Sequence, residues 1–278
     1  MSISGNRLFQ LFKYSVYALL AFNVYAFWSE EVLAAAMLYP AGISLSEIIG
    51  SFPATIDTAA WVVLLLMFEL ETYVLEDHHY NRTVTLSLHA VRIFCYTFIV
   101  YALYGYVVKL LLHYDVVPIV GLSDLCSLTL DGWSYAIDLD DFATITAANC
   151  ESFSTASSFL RFESMQAAID ESGLTDIRVL AWVDVINAAV WLLVVVVLEI
   201  DVRLQEHDRL KGTALRISNA AKFVLYGMLL LAAIYWGIKG DFIDFWDAFL
   251  WLVAFAFIEL NVFEWLHETN ESEALSQS

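Results

Sequence analysis

DTAAWVVLLLMFELE (57–71), NAAVWLLVVVVLEID (187–201) and DAFLWLVAFAFIELN (247–261) are three versions of one template. An Asp or Asn stands four residues before a tryptophan, a glutamate eight residues after it, and a Glu, Asp or Asn two residues further on. Asp57, Trp61, Glu69 and Glu71 thus correspond to Asn187, Trp191, Glu199 and Asp201, and to Asp247, Trp251, Glu259 and Asn261. Apolar residues fill the gaps, and four positions held at one spacing three times are the mark of an internal repeat.

Upstream of each copy runs another apolar stretch that begins with a basic residue and carries a tyrosine four positions later: Lys13 with Tyr17, Arg92 with Tyr96, Lys222 with Tyr226. The repeating unit is therefore read as a helical hairpin, outbound from a Lys or Arg and inbound to an acid. Hairpin one covers 8–78 (spans 10–28 and 57–75), hairpin two 87–208 (spans 91–112 and 179–200, with an insertion at 114–178), and hairpin three 217–268 (spans 219–238 and 245–266), leaving a tail at 269–278.

Composition sets the solvent. Apolar residues make up 60% of the 278 residues and mean hydropathy is +0.67, against an apolar share of ~45–50% in soluble domains. Each span approaches or exceeds the ~20 residues of helix that cross a ~30 Å hydrocarbon core. No series of ~10-residue alternating segments is present, so a membrane barrel is not indicated. The expected fold is an all-α membrane protein of six transmembrane helices, three repeated hairpins in a pseudo-threefold arrangement.

Lys and Arg are retained on the cytoplasmic side. With the N-terminus inside, Arg7, Lys13, Arg82, Arg92, Arg203, Arg209, Lys211, Arg216 and Lys222 lie in or beside the cytoplasm, and only Lys109, Arg161, Arg178 and Lys239 lie outside. This points to N-in, C-in topology in a bacterial inner (plasma) membrane, with 114–178 on the periplasmic or extracellular side. A signal peptide is the alternative for 7–36, Ala34-Ala35-Ala36 imitating a cleavage site.

A formal charge of −19 excludes a nucleic-acid partner, which demands a basic footprint. Many acids, among them Glu30, Glu31, Asp138, Asp140 and Asp141, fall on the outer segments. They gather cations there or simply solvate that face. Cys126 and Cys150 share the insertion and are expected to form a disulfide, since that compartment is oxidising. In the same insertion Phe159, Leu160, Phe162, Met165 and Ile169 suggest the apolar face of an amphipathic helix, capped by Ser154 or Thr155 and ended by Gly173. Ser44-Leu45-Ser46-Glu47 reads as a capping box before a short interfacial helix.

On a helix the template's first Asp or Asn, its Trp and its Glu share one face, at about −40°, 0° and 80°. Twelve residues separate the outer Asp or Asn from the inner Glu, which is ~18 Å of helix, so one member of each pair lies at membrane depth. A carboxylate there costs at least ~2.5–3.5 kcal/mol unless partnered. The expected partners are Lys13 for Glu69, Arg92 for Glu199 and Lys222 for Glu259. One reading makes these structural latches. The other makes Glu69, Glu199 and Glu259, with Glu71 and Asp201 beside them, an inner acidic ring, and Asp57, Asn187 and Asp247 an outer one, which would select cations or relay protons.

The function expected is therefore a component of a cation or proton channel or transporter. The rival is a non-catalytic accessory or assembly subunit of a larger membrane complex, with partners among other membrane subunits or copies of itself. A lipid-modifying enzyme using paired carboxylates is a third class. No GxGxxG, GxxxxGK[ST], CxxC, HExxH or GxSxG occurs, so no catalytic residue, cofactor or metal is assigned. His78-His79 beside Glu76 and Asp77 is read as a solvated turn rather than a metal site. Trp61, Trp191 and Trp251 are expected in packing, while Trp28, Trp182, Trp236, Trp246 and Trp265 suit the membrane interfaces.

Overall fold

The chain is described as a computed structural model covering residues 3–255, apart from 40–41, 46, 72–80, 123, 164 and 208–209. In order it forms α1 (Ile3–Leu38), α2 (Ile48–Ser51), α3 (Pro53–Glu69), α4 (Arg82–Leu112), β1 (Val116–Pro118), β2 (Ser134–Ala136), β3 (Phe142–Thr144), α5 (Cys150–Phe153), β4 (Leu160–Phe162), β5 (Ala167–Ile169), α6 (Glu171–Glu206) and α7 (Thr213–Lys239). A last helix, α8, runs over 242–255. Three helices, Arg82–Leu112, Glu171–Gln205 and Thr213–Lys239, are long and apolar enough to cross a membrane. Their surfaces suit that solvent: Phe94 on α4 and Phe223 and Ile238 on α7 stand largely exposed, and apolar area of this kind is unfavourable in water.

Two compact units divide the chain, residues 24–193 and residues 1–23 with 194–278, and α1 and α6 each supply residues to both. In the first unit α4 packs against α3 and α2. Gly105 permits the approach, because a Cβ there would stand 2.5 Å from the Ile49 carbonyl oxygen and 3.2 Å from the Pro53 Cβ. Pro53 opens α3, where its missing N–H is no loss. The next two N–H groups, of Ala54 and Thr55, donate to the carboxyl of Glu31 on α1 at 2.9 and 3.1 Å. A side chain from another helix thus supplies the cap that α3 lacks. Glu47 closes half of the predicted capping box by accepting from the Ser44 N–H at 2.7 Å, and the short helix starts after it, at Ile48.

Between α4 and α6 lies a cap containing a five-stranded sheet of order β1-β4-β5-β2-β3, with only β2 and β5 parallel. This corrects the amphipathic helix expected over the apolar residues of 154–173. Phe159, Phe162, Met165 and Ile169 are buried, but just before β4, in β4, in the bend after it, and in β5. Their spacing fits a helix face and equally fits two short strands buried on both sides. Pairing decides: Leu160 stands opposite Pro118 on one side and Ile169 on the other. Ser154 starts no helix here but ends one, as the C-cap of α5; its hydroxyl donates to the Cys150 carbonyl and accepts from the Leu125 N–H. Gly173, expected at a helix end, lies in the first turn of α6, its N–H donating to Asp170 Oδ1 at 2.8 Å. The Cys126–Cys150 disulfide is present and ties a 3-10 turn (Leu125–Leu128) to α5, over a cluster of Leu125, Ile145, Phe159 and Ala168.

In the second unit α7 ends at Gly240, whose φ of +91° allows the left-handed turn into α8. Gly237 lets Phe245 of α8 lie close against α7.

Candidate functional site

The template residues separate by position. At the tryptophan level, Trp61 and Trp191 touch, ring centroids 6.1 Å apart, and Trp251 is also buried. Packing is the role the structure gives these three.

Eight residues after the tryptophan, surroundings diverge. Glu69 is buried, whereas Glu199 is exposed and bonds Arg203 one turn along its own helix at 2.9 Å. Glu259 lies outside the described residues. Glu69 is thus enclosed and Glu199 is not.

Ten residues after the tryptophan, surroundings agree. Arg92 Nη2 bonds both carboxylate oxygens of Glu71 at 2.9 and 2.7 Å. Lys222 Nζ bonds Asp201 at 3.0 Å, and the Ser218 hydroxyl donates to the same oxygen at 2.5 Å. In both pairs the base follows the acid by 21 residues. Arg92 thus pairs with Glu71 and not, as expected, with Glu199, and Lys222 takes Asp201. The physical reason is direction: residues eight and ten past the tryptophan point about 200° apart on a helix, and the second set faces the helix that follows in the chain. Asn261, the third residue at this level, lies outside the described residues. Lys13 is buried, its ammonium 4.9 Å from the centroid of the Tyr14 ring.

Four residues before the tryptophan, the Asp247 carboxyl accepts from the Asn23 amide at 2.7 Å and from Trp251 on its own helix. Both donors are neutral. Asn187 Oδ1 is buried with no hydrogen-bond partner among the described residues. Asp57 is partly buried on α3. The group formed by Glu76, Asp77, His78 and His79 lies outside the described residues.

A second charged cluster, which spacing alone did not single out, lies where α4 meets the cap. Lys109 Nζ holds both oxygens of Asp140, in the β2–β3 connection, at 2.6 Å. Glu31 on α1, 2% exposed, is close enough for the Lys109 charge to act on its carboxyl. His113, just past α4, donates from Nδ1 to the Lys109 carbonyl at 2.6 Å and meets Phe162 edge-on. Arg178 Nε in turn donates to the His113 carbonyl at 2.9 Å. Only one signal marked the cluster: Lys109 is a lone base in the last turn of an apolar helix, where an unpaired charge is costly.

Burial, helped by the nearby Lys109 and Arg178 charges, lowers the His113 imidazole from 6.5 to about 4, against its bond to the Lys109 carbonyl and the Asp140 charge. The folded protein therefore binds fewer protons than the unfolded chain between these values. Stability from this group is full above the unfolded pKa and is lost as pH falls toward the folded one. Acidifying from neutrality is expected to lower stability by up to about 3 kcal/mol through His113. Thermal unfolding in detergent across that pH range should show a slope that flattens in His113→Asn; an unchanged slope would assign it to other groups.

Compared with known protein families, curated proteins and solved structures, the chain matches none.

Proposed function

We propose that the chain is an integral membrane protein that passes protons or small cations, six-spanning and built of three hairpin repeats in a pseudo-threefold arrangement. Both termini are cytoplasmic, and the disulfide-bonded cap faces the periplasm or exterior of an inner membrane. Asp247 carries the reading. Its carboxyl sits within an apolar helix, and its partners among the described residues are the neutral donors Asn23 and Trp251. An ionisable group at membrane depth that faces protein rather than lipid, with neutral partners, is the kind of group that marks ion and proton paths. Asn187 Oδ1, at the same template position, is a buried acceptor with no hydrogen-bond partner among the described residues. The repeat reading is supported by Arg92–Glu71 and Lys222–Asp201, which join matching positions at one separation of 21 residues.

Proton flux into liposomes carrying the purified protein tests the proposal. Asp247→Asn is expected to reduce flux at least about tenfold, the size of a lost carrier group whose contribution is ~1.4 kcal/mol or more. Flux through the wild type no greater than in empty liposomes sinks the reading, and full flux in the variant sinks the role of Asp247.

A second reading, an assembly subunit of a larger membrane complex, is favoured by the contact of Trp61 with Trp191 and by the satisfied ion pairs at Glu71 and Asp201. Stoichiometric partners accompanying the protein from native membrane would support it.

A further inference from the structure

Arg178, near the start of α6, is fastened at one end only. Its Nε donates to the His113 carbonyl at 2.9 Å, and its guanidinium carbon stands 4.5 Å from the centre of the Tyr114 ring. Tyr114, just past α4, accepts at its hydroxyl from the Trp182 indole N–H at 3.0 Å. Trp182 lies one turn beyond Arg178 on α6. The guanidinium keeps donors on both Nη atoms, and the Tyr114 hydroxyl keeps its own hydrogen. Among the described residues none of these donors has an acceptor. In a chain with 32 Asp and Glu against 13 Lys and Arg, a positioned cation that no carboxylate answers is the less expected case.

Position puts this cluster at the edge of a bilayer. Residues 179–198 of α6 hold a single charged side chain, Asp184, and rise ~30 Å, the thickness of a hydrocarbon core, with Arg178 at one end and Glu199 at the other. From the cluster two apolar stripes run along the helices. Val179, Trp182, Ile186 and Leu193 are exposed on one side of α6, and Val100, Tyr104 and Leu111 on one side of α4, each set at helical spacing. A cation at the head of apolar stripes complements an amphiphile with an anionic head group.

We infer that Arg178, Tyr114 and Trp182 form a site for one phospholipid, whose phosphate takes the Arg178 Nη donors and the Tyr114 O–H while its acyl chains lie on the stripes of α4 and α6. Arginine suits the role, because its planar fork matches two phosphate oxygens while its face stacks on an aromatic ring. The His113 carbonyl and the Tyr114 ring hold the guanidinium before a lipid arrives, which lowers the ordering cost of binding. Trp182 adds an amphipathic ring of the kind that sits at head-group level. The site rests on the reading that α4 and α6 cross a membrane, and not on the passage of ions.

Native mass spectrometry of the detergent-purified protein, titrated with phosphatidylglycerol, tests it. Arg178→Gln is expected to weaken the first bound lipid at least about tenfold, the size of one charge-assisted hydrogen bond. Arg178→Lys, which keeps the charge, should fall between the wild type and Arg178→Gln. Tyr114→Phe should weaken binding less than Arg178→Gln, and both milder variants guard against misfolding of the harsher one. Diacylglycerol, which has the chains without the phosphate, should bind the wild type and Arg178→Gln alike, and excess inorganic phosphate should not displace the lipid. Equal phosphatidylglycerol affinity in the wild type and Arg178→Gln overturns the site. Arg178→Lys binding no better than Arg178→Gln overturns it too, since the loss would then come from the His113 bond. Displacement by inorganic phosphate gives the donors to a free anion and overturns the lipid. A chain that partitions into water in detergent phase separation removes the membrane reading and this site together, whereas absent ion flux with lipid binding intact removes passage and keeps the site.

Discussion

Lys109→Met is expected to lower the unfolding free energy by about 3 kcal/mol, because removing one partner of a buried ion pair leaves the other charge unpaired. The ammonium is 11% exposed and its partner Asp140 25% exposed, which places the effect at the lower end of the usual range. What is lost is more than one pair. Lys109 joins α4 to the β2–β3 connection through Asp140, and its charge also stabilises the negative form of Glu31. Double substitution separates these terms. Lys109→Met with Asp140→Leu puts apolar groups where both charges stood and should recover most of the loss, since buried pairs are often replaceable by packing. Adding Glu31→Gln to Lys109→Met should recover a smaller part. Equilibrium unfolding in detergent reads all four proteins. If Lys109→Met unfolds at the wild-type denaturant concentration, the pair is solvated and the cluster has no structural weight.

What could be read from residue order was whatever depends on local pattern. Apolar length located α4, α6 and α7, because length and hydropathy do not depend on partners. Cys126 and Cys150 were paired by sharing one segment, and they are bonded. Pairing between distant residues was less legible. Arg92 went to Glu71 rather than to the expected Glu199, and Lys222 to Asp201, because a sequence shows the height of a residue on a helix but not the direction of the neighbouring helix. The strands β4 and β5 were missed for a related reason: each is three residues long, too short for period-2 alternation to outvote a helical spacing. Glu31, Lys109, Asp140 and His113 are scattered over 31–140 as isolated charges and a histidine. Nothing in their spacing announces a site, and only the packing of α1, α4 and the cap brings them together.

Removing the disulfide by Cys126→Ser with Cys150→Ser should loosen the cap by roughly 3 kcal/mol while leaving the long helices formed. The bond closes a loop whose ends are 24 residues apart, and the chain-entropy relation gives roughly 3 kcal/mol for a loop of that size. The loss falls locally. Leu125, Ile145, Phe159 and Ala168 form the cluster beside the bond, and the strands above it are three residues each, so the cap holds few backbone hydrogen bonds of its own. Helices α4, α6 and α7 depend instead on hydrogen bonds within each helix, which lipid strengthens by offering no alternative partner. Hydrogen exchange should therefore rise across 116–169 with little change in 82–112 or 213–239. Two further contacts bound the effect, since Tyr135 and Gly173 both bond Asp170 and hold β2 to the start of α6. If exchange rises equally in the helices, the cap and the spans unfold as one cooperative body. If it rises nowhere, the Leu125 cluster suffices without the bond.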